Sequence, residues 1–293
     1  MKQRKKLFCA ILALLLVFPI YACNQNTALA PNPDGNQTTP LPEIPNEQLP
    51  EQETPTPPEQ VAPETNGQAP ETQTPAPQPQ EPKTQNYIRC VGDSVNLRSG
   101  AGTSYTILGQ AEKGTMYAVI ERTGNWYKVN YKNQTAYLYS EYATMFSIKK
   151  SENSKVEKVI EEAYNLIGIP YVYGAVRLHD GKGNFLKGFS MNKFDCSSLV
   201  QFSFYEGAQV LLDVTTRTQV VQGKYVPKSQ LSRGDCIYFT NETRQNKTGI
   251  ERIGHVAIYL GDDYILHTAS DYARIEKMTA TRWKYYVETR RFI

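Results

Sequence analysis

Prolines are distributed very unevenly along this chain of 293 residues, and their placement limits where a folded core can form. Fifteen of the 18 prolines fall between Pro31 and Pro82, among Gln, Glu and Thr residues. A segment of this composition buries too little apolar surface to offset the entropy lost on ordering, and its prolines favour extended polyproline II. We therefore predict a disordered, semi-rigid tether over 23–86 and place the folded structure after it.

The residues ahead of the tether predict export. The chain starts with "MKQRKK" and continues with "LFCAILALLLVFPIYA", an apolar run shorter than the about 20 residues of a membrane-spanning helix. The run ends at "IYAC", which resembles the lipobox of bacterial lipoproteins. The resemblance implies a signal peptide over 1–22 and lipidation of Cys23, with an ordinary cleaved signal as the alternative. A lipid would anchor the exported protein to the cell membrane or the outer membrane, facing the cell wall.

Charge divides at the same boundary. The tether holds nine acidic side chains and one lysine, whereas residues 84–293 hold 27 Lys and Arg against 20 Asp and Glu, a net charge of +7. A basic folded part is compatible with anionic cell-wall polymers as partners. The sequence has no cluster of basic and aromatic residues that indicates a nucleic-acid site, so no nucleic-acid partner is expected.

Three of the five cysteines lie in the folded part. Because three is odd, at most one intramolecular disulfide can form among them in an oxidising compartment. Cys236 lies in "GDCIYF" and Cys90 heads another strand-like run, so we expect two separately buried thiols, with a bridge between them as the alternative. Cys196, in "FDCSSLV", remains open at this point as a buried structural residue, a disulfide partner, a metal ligand or a nucleophile.

Residues 87–148 predict a small all-β barrel. Short β-rich runs alternate there with turn signals at "SGAGTS", "EKGT", "TGNW" and "YKNQT". The stretches "VNLRSGAGTSYTILGQAEKGT" and "GNWYKV" resemble a bacterial SH3 domain. The resemblance implies a module that binds the wall or positions substrate, and a spacer barrel is the alternative.

Helices precede strands in residues 150–293, which predicts an α+β domain with an antiparallel sheet. In "SKVEKVIEEAYNLIG" the apolar residues fit one helical face, and Ser154 with Glu157 fits a capping box. The segment "DCSSLVQFSFYEG" predicts a second, buried helix. Strand-like runs follow at "GDCIYF", "HVAIYL", "DYILHTA" and "YYVETRRF".

Cys196 lies where a helix can activate it. If Asp195 caps the second helix, Cys196 falls in its first turn, where free backbone N–H groups and the helix dipole favour a thiolate. A thiolate nucleophile also needs a base and a group that orients the base. Of the three histidines in the chain, His255 and His267 lie in strand-like runs on either side of "GDD". His179, in the glycine-rich loop "RLHDGKGN", is predicted to be a solvated surface residue.

The turn between the two strand-like runs decides whether the histidines meet. A three-residue loop over 261–263 pairs Leu260 with Tyr264. It places His255 and His267 on one face as diagonal neighbours, ~7 to 8 Å apart at Cβ. A two-residue loop would place them on opposite faces of the sheet.

A zinc site is the rival use of the same side chains. It would gather two thiols and two imidazoles, from Cys196, Cys236, His255 and His267. No C-x-x-C or H-x-x-x-H spacing supports it, so we expect neither a metal nor another cofactor.

Five stretches together carry a family resemblance. They are "GIPYVYGA", "FDCSSLVQFSF", "LSRGDCIYF", "IGHVAIYLGDDYILHTAS" and "RWKYYVETRRFI", and they fall within 154–293. In this order and spacing they resemble the NlpC-type cell-wall cysteine peptidases, which have a papain-like α+β fold. The resemblance implies that Cys196 is the nucleophile, that His255 is its base and that His267 orients His255.

The resemblance also implies substrate-binding residues. Tyr171 would line the oxyanion or substrate pocket. Asp195 and Ser197 would receive the free amino group of the substrate's L-Ala, as in relatives that require one. The sequence departs from the family pattern at Tyr173 and Ala175, and at a loop of about twenty residues before Asp195. Such a loop would add a wall to the cleft and change whether intact wall or only small muropeptides can enter.

The implied activity is hydrolysis of the peptidoglycan stem peptide by a monomeric enzyme. In the family the bond cleaved is usually the one from the γ-carboxyl of D-Glu to the diamino acid. A non-catalytic wall-binding lipoprotein with a degenerate peptidase scaffold is the main alternative. An acyltransferase or amidase that uses the same nucleophile on another amide is a further one.

Overall fold

The computed structural model of the chain describes residues 83–293. The predicted signal peptide, the lipidation site Cys23 and the tether up to residue 82 lie outside the described residues. The first strand begins at Thr84, whereas the sequence predicted that the folded part begins at residue 87. Within the described residues no helix is long and apolar enough to cross a membrane.

The first part of the described chain is an antiparallel sheet of seven strands, which confirms the predicted all-β character. The strands are β1 (Thr84–Cys90), β2 (Val95–Arg98), β3 (Ile107–Ala111), β4 (Met116–Thr123), β5 (Trp126–Tyr131), β6 (Gln134–Tyr139) and β7 (Ala143–Lys149). Their spatial order is β3-β2-β6-β5-β4-β1-β7. Buried and half-buried residues alternate along β2 and β5, as expected where one face of a strand is more deeply buried than the other.

The second part combines helices with an antiparallel sheet of six strands, so the predicted α+β class is confirmed. The helices are α1 (Ser154–Asn165), α2 (Cys196–Ala208), α3 (Thr216–Gln219) and α4 (Ala280–Lys284). The strands are β8 (Lys224–Val226), β9 (Cys236–Phe239), β10 (His255–Gly261), β11 (Tyr264–Ala269), β12 (Tyr272–Lys277) and β13 (Tyr286–Arg291). Their spatial order is β12-β11-β10-β9-β13-β8.

The second sheet is buried on both faces around β9. Cys236 and Tyr238 join the main apolar core, which also contains the buried residues of α1 and α2. Ile237 and Phe239 point the other way, into a smaller cluster that includes Ile265. A strand covered on both faces reads as a continuous apolar run, which explains why all four residues of "CIYF" are buried.

Helix α1 is capped by a different residue from the one predicted. Asn153 Oδ1 accepts the N–H of Lys155 at 3.0 Å, so the predicted capping box of Ser154 and Glu157 is wrong. Glu157 instead accepts hydrogen bonds from Arg233 Nε at 2.7 Å and Nη2 at 3.0 Å. A bidentate carboxylate–guanidinium pair is stronger than a single bond to a backbone N–H, and this explains where the Glu157 side chain points.

Arg233 connects the two sheets. Its Nη1 donates to the hydroxyl of Tyr87 in β1 at 3.0 Å and to the carbonyl of Leu260 in β10 at 2.7 Å. Its Nη2 donates to the hydroxyl of Tyr164 in α1 at 3.1 Å, as well as to Glu157. The side chain is 4% exposed. A charge buried this deeply is tolerated only when it is paired and hydrogen-bonded, so these contacts fix the first sheet against the second part of the chain.

We expect Arg233→Ala to lower the free energy of unfolding by about 3 to 5 kcal/mol, because the largely buried carboxylate of Glu157 would lose its charged partner and the link to Tyr87 and Leu260 would be lost. Urea unfolding followed by circular dichroism measures this change. Lys128→Ala is the control, because it removes the more exposed Lys128–Glu121 pair at 3.3 Å, for which a loss of at most about 1 kcal/mol is expected. Equal losses for the two variants would contradict the connecting role of Arg233.

Candidate active site

Asp195 fixes the start of helix α2, as predicted. Its Oδ1 accepts the N–H of Ser198 at 2.8 Å, and Ser198 Oγ accepts the N–H of Asp195 at 2.8 Å, which forms a reciprocal capping box. Cys196 is therefore the first residue of the helix. Backbone hydrogen bonds from Val256 and Ser197 reach its sulfur.

Burial dominates the acidity of Cys196. Burial and then the negative charge of Asp195 raise the pKa of Cys196 to about 12, although the backbone hydrogen bonds and Arg177 act in the opposite direction. The predicted stabilisation of a thiolate by the helix terminus is therefore outweighed by desolvation. Cys196 is a protonated thiol near neutral pH and needs a base to lose its proton.

Strands β10 and β11 bring two histidines into contact. Ile258 lies opposite Leu266, which is the predicted register of this hairpin. His255 Nε2 lies 3.0 Å from His267 Nδ1. The predicted placement of both histidines on one face of the sheet is confirmed.

The turn that produces this register differs from the prediction. Gly261 pairs with Tyr264, so the loop has only the two residues 262–263, both with positive φ, as in a type I′ turn. A β-bulge between Tyr259 and Gly261 adds the residue that restores the parity. Gly261 has a φ of +101°, and a Cβ there would lie 2.8 Å from Ile148 Cγ2, so the position suits only glycine.

The hydrogen-bonded series that starts with His255 and His267 continues to a carboxylate that was not predicted from the sequence. His267 Nε2 lies 2.9 Å from Glu276 Oε2, and Arg282 Nη2 donates to both oxygens of Glu276 at 2.8 Å. Although burial opposes the shift, hydrogen bonds from His267 and Arg282 lower the pKa of Glu276 to about 2. Glu276 lies in the alternating run "YARIEK" directly after the second histidine strand, and that alternation is the signal from which a further strand, β12, could have been predicted.

The Glu276 carboxylate sets the tautomers of both histidines. Because it accepts a hydrogen bond, His267 carries its proton on Nε2 and presents Nδ1 as an acceptor. His255 therefore donates from Nε2, and its unprotonated nitrogen is Nδ1. Burial and then the neighbouring His267 hold the pKa of His255 well below its ordinary value of 6.5, and burial also lowers the pKa of His267. Both imidazoles are neutral near pH 7, and Nδ1 of His255 is available as a base.

Cys196 and His255 line one cavity of about 520 Å³. Tyr171, another predicted site residue, lines the same cavity. Burial and then the proximity of Cys196 raise the pKa of Tyr171 to about 12, so its hydroxyl remains a hydrogen-bond donor. The volume falls in the range of roughly 300 to 1,000 Å³ found for small-molecule sites. The structure thus places the predicted nucleophile, base and pocket tyrosine around one space, with His267 buried behind His255.

The side chains of Asp195 and Ser197 are buried and are already hydrogen-bonded within the protein, so they are not free to bind a substrate directly. They are only 4% and 3% exposed. Arg177 Nη2 donates to Asp195 Oδ2 at 2.8 Å and to Ser197 Oγ at 2.9 Å. Both polar side chains predicted to receive an amino group are thus bound to a side chain of the protein itself, and their substrate-binding role stays a prediction.

The prediction that His179 is a solvated surface residue is wrong. His179 is fully buried, and its Nδ1 accepts the N–H of Gly181 at 3.0 Å. Its carbonyl accepts a hydrogen bond from Gln201 Nε2 in α2 at 3.1 Å, and its ring lies 5.1 Å from that of Tyr205. The loop folds onto helix α2, and no periodicity in its sequence indicates that packing.

The cysteines of the described residues are all free thiols. Cys90 and Cys236 are separately buried, as predicted, and Cys196 is partly buried. Within residues 83–293 no group of three or more His, Cys, Asp or Glu side chains is arranged to hold a metal ion.

The first sheet has a groove of its own, of about 590 Å³. It is lined in part by the rings of Trp126, Tyr139 and Tyr142, with the charged side chains of Arg98 and Asp93 beside them. The rings of Trp126 and Tyr139 have their centroids 5.2 Å apart. Aromatic faces next to charged groups suit an amphipathic ligand, which favours the predicted binding role of this part over a spacer.

The fold and the grouping of a thiol with two histidines define the second part as a domain of the cysteine-peptidase class. Comparison with known families is more specific. Residues 168–291 match the NlpC/P60 family, and residues 93–144 match the bacterial SH3 domain. The chain therefore carries an NlpC/P60 family domain preceded by a bacterial SH3 domain, as the sequence motifs implied.

Two curated relatives are similar to part of the chain. The gamma-DL-glutamyl hydrolase of Bacillus subtilis is 32% identical over 127 residues, which are 43% of this chain and 26% of the relative. The peptidoglycan DL-endopeptidase CwlO of Bacillus licheniformis is 30% identical over 141 residues, 47% of this chain and 28% of the relative. The chain thus spans about a quarter of the length of these relatives.

Among solved structures, an NlpC/P60 family protein from Bacillus cereus is 22% identical to this chain. The alignment covers 71% of this chain and 63% of that protein, with a TM-score of 0.38.

We expect Glu276→Gln to lower the kcat of a Cys196-dependent hydrolysis about 10²-fold with little change in KM, because the tautomer and orientation of His267 would no longer be fixed. Steady-state kinetics measure this effect. Glu288→Gln is the matched control, since Glu288 pairs with Arg290 at 2.6 Å on the same sheet but contacts neither histidine. Equal kcat values for the two variants would contradict the orienting role of Glu276.

Proposed function

We propose that the chain is an exported peptidoglycan endopeptidase that hydrolyses the stem peptide at the bond between D-Glu and the diamino acid. The supporting observation is the continuous contact from His255 through His267 to Glu276, with His255 lining the same cavity as Cys196. The family match supports a wall hydrolase. The activities for which the two Bacillus relatives are named support a bond that involves D-Glu.

In the proposed reaction the sulfur of Cys196 attacks the amide carbonyl carbon while Nδ1 of His255 takes the thiol proton. The carbonyl electron pair moves onto oxygen, and the resulting oxyanion is stabilised by the backbone N–H of Cys196 and the hydroxyl of Tyr171. The imidazolium of His255 still donates from Nε2 to His267, whose own proton is held by the charge of Glu276. This fixed carboxylate compensates the positive charge that forms on His255.

The second half of the reaction returns the enzyme to its resting state. The tetrahedral intermediate collapses, His255 protonates the departing amine of the diamino acid, and the C–N bond breaks to leave a thioester on Cys196. Water, deprotonated by His255, then attacks the thioester. The γ-carboxylate of D-Glu is released, and the thiol of Cys196 regains its proton.

A non-catalytic wall-binding protein is the second candidate. The raised pKa of Cys196, about 12, favours this candidate, because a protonated thiol reacts slowly unless a base removes its proton. The aromatic groove of the first sheet would supply the binding surface in that case.

Cleavage by the full-length chain and its Cys196→Ala variant separates the two candidates. The substrates are purified peptidoglycan and L-Ala-γ-D-Glu-diaminopimelate, and products are identified by mass spectrometry. We expect cleavage after D-Glu that falls more than about 10³-fold in the variant. Cys90→Ala, which removes a buried thiol of the first sheet, should retain activity. Wall binding without cleavage by the unmodified chain would support the non-catalytic candidate.

We also propose that a lipid on Cys23 anchors the protein to the membrane on the side that faces the wall. The support is the charged start, the short apolar run and the "IYAC" stretch of the sequence. We expect mass spectrometry of the mature protein to show an N-terminal Cys23 that carries a lipid. Cys23→Ala should move the protein from the membrane fraction to the soluble fraction. An unmodified N-terminus downstream of Cys23 would contradict the anchor.

A further inference from the structure

The cavity that His255 lines has further walls to which the proposed reaction assigns no contact with substrate. They come from the end of strand β9 and from the segment of helix α4. Thr240 and Glu242 lie just after β9, and Arg282 lies in α4. Because Phe239 is the partner of His255 in the sheet, Thr240 directly follows the residue beside the base. Polar and charged groups therefore line the space next to His255.

Arg282 has donors left over after its pairing with Glu276. Nε donates to Glu276 Oε1 at 3.2 Å, and Nη2 donates to both carboxylate oxygens at 2.8 Å. Within residues 83–293 neither N–H of Nη1 has an acceptor. The side chain is 24% exposed and lines the cavity. A guanidinium that is held along one edge by a carboxylate presents its other edge to a second anion in a fixed orientation.

The positive member of the Arg282–Glu276 pair has the larger effect at the base. Burial and His267 are the main causes that lower the pKa of His255. The charge of Arg282 is the next cause, and the opposing effect of Glu276 is smaller. The pair therefore makes the space beside His255 electropositive, which favours a negatively charged group of a ligand there.

The hydroxyl of Thr240 is a second polar group that lacks a partner. The residue is only 4% exposed, and within the described part of the chain its Oγ1 makes no hydrogen bond. Its N–H donates to the carbonyl of Tyr285 at 2.8 Å, which fixes the backbone at this position. Burying a hydroxyl without a hydrogen bond costs free energy. Because Thr240 lines the cavity, a polar group of a ligand can supply the missing partner.

The proposed reaction brings the departing diamino acid to these groups. The departing nitrogen takes its proton from Nδ1 of His255, so it must come within hydrogen-bond distance of that ring. The carbon next to this nitrogen carries the α-carboxyl group, and a diaminopimelate side chain ends in a second carboxylate and an ammonium. Glu242 is exposed and has no ion-pair partner within the described residues, so it is a counter-ion for that ammonium.

We propose that Arg282 and Thr240 form a carboxylate-binding subsite for the diamino acid that leaves in the reaction. The free edge of the guanidinium and the hydroxyl of Thr240 donate hydrogen bonds to a carboxylate of that residue, on either its α-carbon or its side chain. The inference rests on the proposed function for the identity of the leaving residue. The chain then prefers stem peptides whose diamino acid carries a free carboxylate over peptides in which that carboxyl group is amidated.

Peptide binding to the full-length Cys196→Ala chain tests the subsite without requiring catalysis. The probe is L-Ala-γ-D-Glu-diaminopimelate in four forms, with both carboxyl groups of the diamino acid free, either one amidated, or both amidated. Titration calorimetry at about pH 7, where free carboxyl groups are ionised, measures each affinity. We expect the doubly amidated peptide to bind about 10- to 100-fold more weakly than the unmodified peptide.

The singly amidated peptides identify the carboxylate that is bound, because amidation of that group alone should reproduce the loss. Equal binding of the four peptides, tighter binding of the doubly amidated peptide, or binding of none of them would overturn the inference.

Variants in the same background assign the preference to the two residues. Arg282→Gln should reduce the preference for the unmodified peptide to less than about threefold, whereas Glu276→Gln leaves the guanidinium in place and should keep the preference. Thr240→Val should weaken binding of the unmodified peptide about 3- to 10-fold, and Thr240→Ser should retain it. Thermal unfolding confirms that the variants are folded. An unchanged preference in a folded Arg282→Gln variant would overturn the role of Arg282.

Thr268→Val is the matched control for Thr240→Val. Thr268 is also buried, and its hydroxyl also lacks a partner within the described residues, but it does not line the cavity. Its replacement should leave the affinities for all four peptides unchanged. Equal losses in the two valine variants would contradict the role of the Thr240 hydroxyl.

Cleavage by the active chain distinguishes failure of this inference from failure of the proposed function. If the unmodified peptide binds more tightly than the doubly amidated one but is not hydrolysed, the endopeptidase proposal fails and the subsite stands. If all four peptides bind equally and are hydrolysed after D-Glu, the endopeptidase proposal stands and the subsite inference fails.

Discussion

The geometry of the cleft depends on the hydrogen bonds that the carboxylate of Asp195 accepts. It caps helix α2 through Ser198, binds the N–H of Gly174 and pairs with Arg177. The start of helix α2 and the segment 174–177 before it therefore share one buried anion. Because the carboxylate is buried, its loss would leave several hydrogen-bond donors without their acceptor at once. The position of Cys196 and the position of the long loop are consequently coupled.

The second constraint is the register of the β10–β11 hairpin. The bulge at Gly261 places His255 against His267, and Glu276 then fixes which nitrogen of each ring carries the proton. Burial keeps both imidazoles and the thiol of Cys196 neutral at rest. In the proposed reaction the base and the nucleophile therefore do not depend on a preformed ion pair, and correct placement of Nδ1 of His255 becomes the main requirement for proton transfer.

Most features that depend on near neighbours in the sequence were predicted correctly, although the cap of helix α1 is Asn153 and not Ser154. The cap at Asp195, the two buried helices, the α+β order and the shared face of the two histidines all follow from local spacing. The remaining features depend on polar contacts between distant segments. Nothing in the loop sequence indicates that Arg177 reaches Asp195 or that His179 is buried, because irregular segments have no periodicity that reports their packing. Glu276 was missed because its strand was not recognised. The length of the turn was predicted incorrectly because a β-bulge beside Gly261 compensates for a shorter loop.

The contact between the two sheets fixes the aromatic groove relative to the cavity beside Cys196, which bears on how the proposed polymeric substrate would be presented. Arg233 ties β1 to β10, and Phe146 of β7 stacks on Tyr264 of β11 with ring centroids 4.8 Å apart. These contacts bury side chains of both parts in one continuous core. The aromatic groove of the first sheet and the cavity beside Cys196 are therefore held in a fixed relation, without a flexible linker between them. If one segment of a polymeric ligand binds in the groove, the next segments of the same polymer can reach the cavity in fewer orientations. Less entropy is then lost when the cavity is occupied as well.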